Sequence, residues 1–136
     1  MVKPINRDII LLSIPSIEAV PADLAVADDL LDTLIEHADG CVGMAANMIG
    51  VNKRIIAFLD GDRYTVMFNP AIIKSDLAYT ADEGCLSLDG TRRAKRFKKI
   101  KVEYQNRDFD RRIKSYSGFT AQIIQHELDH LDGVII

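Results

Sequence analysis

The chain has 136 residues, 48% hydrophobic and 27% charged, with two cysteines, no tryptophan and a net charge of −3. That length suits one domain over residues 1–136, able to bury roughly two-thirds of its unfolded surface without disulfide staples. The composition excludes a disordered or fibrous chain. No apolar run approaches the roughly 18 residues of a membrane span, so no membrane partner is expected. Lys3 and Arg7 stand before an apolar patch at Ile9–Ile17, but Asp8 leads that patch and Pro15 breaks it. A secretion signal is therefore not expected, and Cys41 and Cys85 read as reduced thiols of a cytoplasmic protein.

In chain order, the first clear pattern is a helix from about Pro21 to Ala38. Val20, Leu24, Ala27, Leu31, Leu34, Ile35 and Ala38 recur at three- and four-residue steps. Pro21 suits its first turn and Gly40 its stop. Arg54–Leu59 is a short apolar strand, ended by the hairpin signal Asp60-Gly61 before Tyr64–Phe68. Ile100, Val102 and Tyr104 alternate with charged residues, as in a half-buried strand. Gln105–Asp110 reads as a turn and Arg111–Tyr116 as the returning strand. A second helix is expected from near Ser117 through Leu131, stopped by Asp132-Gly133. Helix, strands, helix argues an α+β fold, with antiparallel or mixed sheets packed around the C-terminal helix.

Charge is uneven along this order. Residues 91–114 hold 11 of the 17 Lys and Arg, with only Glu103, Asp108 and Asp110 as acids. Such a block suits either an anionic partner or a Lys-rich edge strand that resists aggregation. The edge-strand reading is the plainer one, and nucleic acid is not expected as a partner.

The strongest chemical signal is His126-Glu127-Leu128-Asp129-His130, an H-E-x-x-H pattern on the last helix. Residues four apart share a helix face, so both imidazoles can bind one metal ion, and Glu127 sits where a general base for a metal-bound water belongs. A catalytic site needs a third ligand. Cys85, Cys41, Asp129 and Asp132 are the candidates, and a thiolate suits a borderline divalent ion better than a carboxylate. Cys85, in the turn-like Glu83-Gly84-Cys85-Leu86-Ser87, is modestly favoured over Cys41. A third segment, Cys41 to Gly50, is rich in small residues that allow close backbone approach.

Together, in this order, the three segments resemble the peptide deformylases, whose motifs are G-φ-G-φ-A-A-x-Q, E-G-C-φ-S and Q-H-E-x-D-H. Glu83–Ser87 matches the second in full and Gln125–His130 the third. The first is matched at Gly43, Met44, Ala45 and Ala46. The resemblance spans nearly the whole chain. It implies a metal-dependent hydrolase that removes the formyl group from N-terminal formyl-methionine of new bacterial proteins. It implies Cys85, His126 and His130 as ligands of one divalent ion, Fe(II) natively, with Zn(II) or Ni(II) as substitutes. It implies Glu127 as general acid and base, and the Leu86 backbone N–H as a donor to the formyl oxygen as it gains charge. The backbone of Val42 and Gly43 would bind the peptide extended, Ile123 and Ile124 would line a methionine pocket, and Arg92 would lie near the substrate.

Two positions depart from the family pattern. Its first Gly is Cys41 here, and its Gln is Met48. That Gln donates the second hydrogen bond to the developing oxyanion, and a thioether cannot donate. Losing one such donor costs about 10²–10³ in rate. Asn47 carries an amide, but in extended chain it points away from its neighbour's side. A weakened deformylase acting on N-formylmethionyl peptides, in transient contact with the ribosome and nascent chain, is the first expectation. A paralogue acting on another N-acyl substrate and a non-catalytic metal-binding protein are the alternatives. The sequence ends at Ile136, so the C-terminal extension that some members dock on ribosomes is not expected.

Overall fold

A computed structural model describes residues 1–136. In chain order it contains α1 (Ile9–Leu12), a 3₁₀ turn at Pro21–Asp23, α2 (Leu24–Glu36), β1 (Gly43–Ala45) and a 3₁₀ turn at Ala46–Ile49. Then follow β2 (Ile55–Asp60), β3 (Arg63–Cys85), β4 (Leu88–Gln105), β5 (Arg111–Ser117) and α3 (Gly118–Leu131). The strands form one antiparallel sheet in the order β1-β2-β3-β4-β5. The α+β reading with an antiparallel sheet and a C-terminal helix is borne out. No helix is long and apolar enough to cross a membrane.

The sheet is covered on both faces, and β2 shows why its sequence lacks alternation. Ile56 and Phe58 point into a core with Ile124, Leu128 and Leu131 of α3. Ile55 and Ala57 point the other way, into a core with Ala27, Leu30 and Leu34 of α2. A strand buried on both faces reads as a continuous apolar run. In α3 nearly every residue from Ala121 to Leu131 is buried, polar ones included, so this helix is wrapped by the fold rather than laid upon it.

The α2 face differs from the expected one. Ala27, Leu30, Thr33 and Leu34 are buried, whereas Ile35 is 48% exposed and Leu31 only half-buried. The N-terminal segment accounts for the rotation. Lys3 N–H donates to Thr33 Oγ1 at 2.9 Å, and that hydroxyl donates to Asp29 O at 2.8 Å. Thr33 is thereby satisfied where an apolar count would not place it.

The long β3–β4 ribbon was legible only at its ends. β3 runs far past Phe68, with register shifts near Phe68/Ala71, Ile72/Lys74 and Gly84/Cys85. Asn69 adopts a left-handed φ of 52° at the first, and its side chain brackets the Ala19 backbone at 2.7 and 2.9 Å. β4 is not uniformly an edge. From Lys99 to Gln105 it lies between β3 and β5, and at Phe97 the Gln125 amide closes its free side with two 2.8 Å hydrogen bonds.

Candidate active site

β3 ends at Cys85, where Leu86 and Ser87 make a tight reversal into β4. α3 passes beneath that reversal with His126 and His130 one turn apart. The ligand atoms of Cys85, His126 and His130 all lie within 4.8 Å of one another. The two imidazole Nε2 atoms face each other at 3.0 Å, and the ring centroids are 4.7 Å apart. Both rings are buried. One sulfur and two nitrogens thus converge on a single point, a donor set that fits a divalent transition metal ion.

The rings are held from behind. His126 Nδ1 donates to Glu83 Oε1 at 2.8 Å, which aims its other nitrogen at the shared point. Glu83 is buried and also accepts from Arg96 Nε at 3.0 Å, Arg96 Nη2 at 2.6 Å and Gln122 Nε2 at 2.9 Å. Arg96 Nη1 donates to Asp129 at 2.7 Å. Burial alone would raise the Glu83 carboxyl, but the bonds from His126, Arg96 and Gln122 pull it down to about 2. Burial likewise opposes charge on His126. Its partners Cys85 and Glu83 outweigh that, and in the ion-free site it rises to about 10. His130, buried beside His126, falls to about 3.

Glu127 is 3% exposed, and its Oε1 has no hydrogen-bond partner. Burial pushes it up to about 7. Space for it depends on Gly43: a Cβ there would stand 2.8 Å from Glu127 Oε2 and 2.6 Å from Ile123 Cγ2. The carboxylate opens on a cavity of about 530 Å³.

Cys85, Leu86, Val42, Gly43, Met48, Ile123, His126 and Glu127 all line that cavity. His130 lies behind it within the ligand group. Ile124 instead packs in the core. Arg92 is outside the lining, with its Nη1 donating to Asp89 O at 3.2 Å. Cys41 lines the cavity but its Sγ donates to Gly43 O at 3.0 Å, and burial pushes its thiol up to about 11. Asn47 does not sit in extended chain. It belongs to the 3₁₀ turn at Ala46–Ile49, fully buried, and its Nδ2 donates to His130 O at 2.7 Å. Its amide is thus committed to the end of α3.

Glu83, Arg96 and Gln122 had no assigned role in the sequence. Glu83 stood inside a matched motif, which was signal enough. Arg96 was masked by its basic neighbours, although Ala94, Arg96, Ile100 and Val102 share a period of two.

A family model for polypeptide deformylases matches residues 7–136. A peptide deformylase of Clostridium beijerinckii is 50% identical over 136 residues, with all of both chains covered. Among solved structures, a peptide deformylase from Thermus thermophilus superposes with a TM-score of 0.88 at 32% identity, over 98% of this chain and 83% of that one. A Met-Ala-Ser-bound class I type b peptide deformylase from Acinetobacter baumannii gives 0.89 at 27% identity, over 99% and 97%.

Proposed function

The chain belongs to the polypeptide deformylase family, and from that premise we propose how its own residues remove the N-formyl group from nascent peptides. Members are metalloenzymes, and Cys85, His126 and His130 would hold the ion. We take it to be Fe(II), with Zn(II) or Ni(II) as substitutes. When bound, such an ion polarises the formyl oxygen and makes water more acidic.

Glu127 accepts the proton that the attacking water loses and returns it to the departing amine. A carboxylate raised to about 7 is suited to both steps at neutral pH. The Leu86 N–H donates to the formyl oxygen as negative charge gathers there. β1 lies at the end of the sheet order, with only β2 as its neighbour. With Val42 O held by the Leu59 N–H of β2, it is next to it, at Gly43, that this edge can pair with an extended peptide backbone. Ile123 offers apolar contact to the methionine side chain. The Met-Ala-Ser tripeptide bound to the Acinetobacter relative supports a methionyl peptide as the occupant. Arg92 would meet only the outer part of a longer peptide. The 136 residues act as one domain, in the cytoplasm, in transient contact with the ribosome.

Met48 is 1% exposed, lines the cavity and stands at the sequence position where the family pattern has its amide donor. It leaves Leu86 as the main protein donor, so the turnover is slow by about 10²–10³ relative to a two-donor site.

The convergence of Cys85, His126 and His130 beside the partnerless Glu127 carries this reading. Protein loaded with Fe(II) without oxygen is expected to release formate from formyl-Met-Ala-Ser. Glu127→Gln should keep the ion and lose the activity. No formate from the wild type would overturn the assignment, and faster cleavage of an acetyl peptide would move it to another N-acyl substrate.

A further inference from the structure

The sequence offered Arg7 only as a charge ahead of an apolar patch. In the fold its guanidinium lies across the β3–β4 reversal. Nη1 donates to Leu86 O at 3.0 Å and Nη2 to Asp89 Oδ1 at 2.7 Å. The carbonyl it holds belongs to the Leu86–Ser87 peptide group. The N–H of that same group points at Cys85, with Ser87 N at 3.4 Å from Sγ. A charged donor therefore grips one end of a peptide dipole whose other end donates to the sulfur. Hydrogen bonds linked through one polarisable group strengthen each other.

Arg7 is delivered to this place by its neighbour. Asn6 N–H donates to Met48 O at 2.7 Å, and Asn6 Nδ2 to Asn47 O at 3.1 Å. The N-terminal segment is thus fastened to the 3₁₀ turn at Ala46–Ile49 at one residue and to the reversal at the next. The Arg7 side chain is 55% exposed and that of Asp89 98%. An ion pair so open to water contributes little to global stability, which leaves the peptide group it orients as its main effect.

We propose that Arg7 is a positioning residue for the metal centre, fixing the Leu86–Ser87 peptide so that its N–H donates to the Cys85 sulfur. This rests on Cys85 being a ligand, as set out above. Loss of the grip frees the peptide to rotate. The sulfur then loses a donor and its lone pairs rise in energy, and because the turn that carries it is no longer fixed in place, the ion escapes sooner. The Leu86 backbone, which supplies the oxyanion donor, loosens with it.

The test uses Co(II)-loaded protein, whose sulfur-to-cobalt charge-transfer band reports on hydrogen bonding to the thiolate. Arg7→Gln is expected to shift the band to longer wavelength and to speed cobalt release to a chelator about 10-fold, the lower end of the range for groups that orient ligands. Arg7→Lys keeps the charge without the fork and should lie between. Asp89→Asn should shift the band in the same direction by less. An unchanged band and release rate in Arg7→Gln would overturn the proposal while leaving the ligand assignment standing. Absence of the band in the wild type would instead remove Cys85 as a ligand.

Discussion

Gly43 shows how much of the chemistry is decided one atom at a time. Its missing Cβ leaves the space that Glu127 Oε2 and Ile123 fill. Both would have to retreat from a methyl group, and the carboxylate is the proposed base. A misplacement of about 1 Å can cost 10²-fold in rate. Gly43→Ala is therefore expected to lower kcat by about 10- to 100-fold with the metal content unchanged, read by formate release and metal analysis together. Met48 poses the opposite case. Gln has nearly the volume of Met, and its amide could supply the absent donor, so Met48→Gln should raise kcat by about 10-fold or more. The same change has a cost at rest. Met48 packs among Leu30, Leu34 and Phe68, and a buried amide without partners loses about 1–3 kcal/mol. A higher kcat combined with a lower Tm is the expected signature. A Tm loss with no gain in kcat would show that the side chain at this position does not reach the oxyanion.

At the scale of elements, α3 and the β3–β4 ribbon hold the site between them, and a buried ion network locks the two. Arg96 of β4 joins Glu83 of β3 to Asp129 of α3. Removing one partner of a buried pair leaves the other charge stranded, at about 3–5 kcal/mol. Arg96→Met should lower Tm substantially and weaken metal retention, because Glu83 then loses the donors that aim it at His126. Arg96→Lys should recover only part, since one ammonium cannot replace a fork that meets two carboxylates. The sequence showed α3 clearly, because its caps, its length and its H-E-x-x-H spacing are local properties. It showed β2 and the Asp60-Gly61 turn for the same reason. It did not show the reach of β3, whose residues from Ala71 to Leu77 are exposed and give no alternation to read. Nor did it show the true face of α2, because the partner of Thr33 is a backbone N–H thirty positions earlier. In the site, the two histidines and the proposed base could be read from spacing, and Cys85 only through the family resemblance. The network behind them could not, since Glu83, Arg96 and Asp129 meet only through the ribbon's register and the docking of α3.

Across the whole molecule, the proposed ligands join the end of the ribbon to the central helix, so that binding an ion and folding the chain would be linked. Protonation runs against that linkage. Without metal, His126 is held charged by Cys85 and Glu83, with its pKa raised to about 10. A group raised in the fold stabilises fully below its unfolded value, near 6.5, and that contribution is lost as pH rises through about 10. Glu127, raised to about 7 by burial, acts in the same direction at lower pH. The metal-free fold should therefore weaken as pH rises from about 6.5 to 8.5. Metal binding needs His126 neutral, so the ion must displace a proton whose loss becomes easier over the same range. The rise in Tm on adding Ni(II) should accordingly grow with pH while the metal-free Tm falls. Thermal melts at fixed Ni(II), with and without chelator, across that range measure both. In Glu83→Gln the alkaline fall of the metal-free Tm should shrink without vanishing, because the neutral amide no longer helps hold His126 charged while Cys85 still does. Parallel Tm curves for loaded and stripped wild type would show that His126 surrenders no proton to the ion, and would remove it from the ligand set.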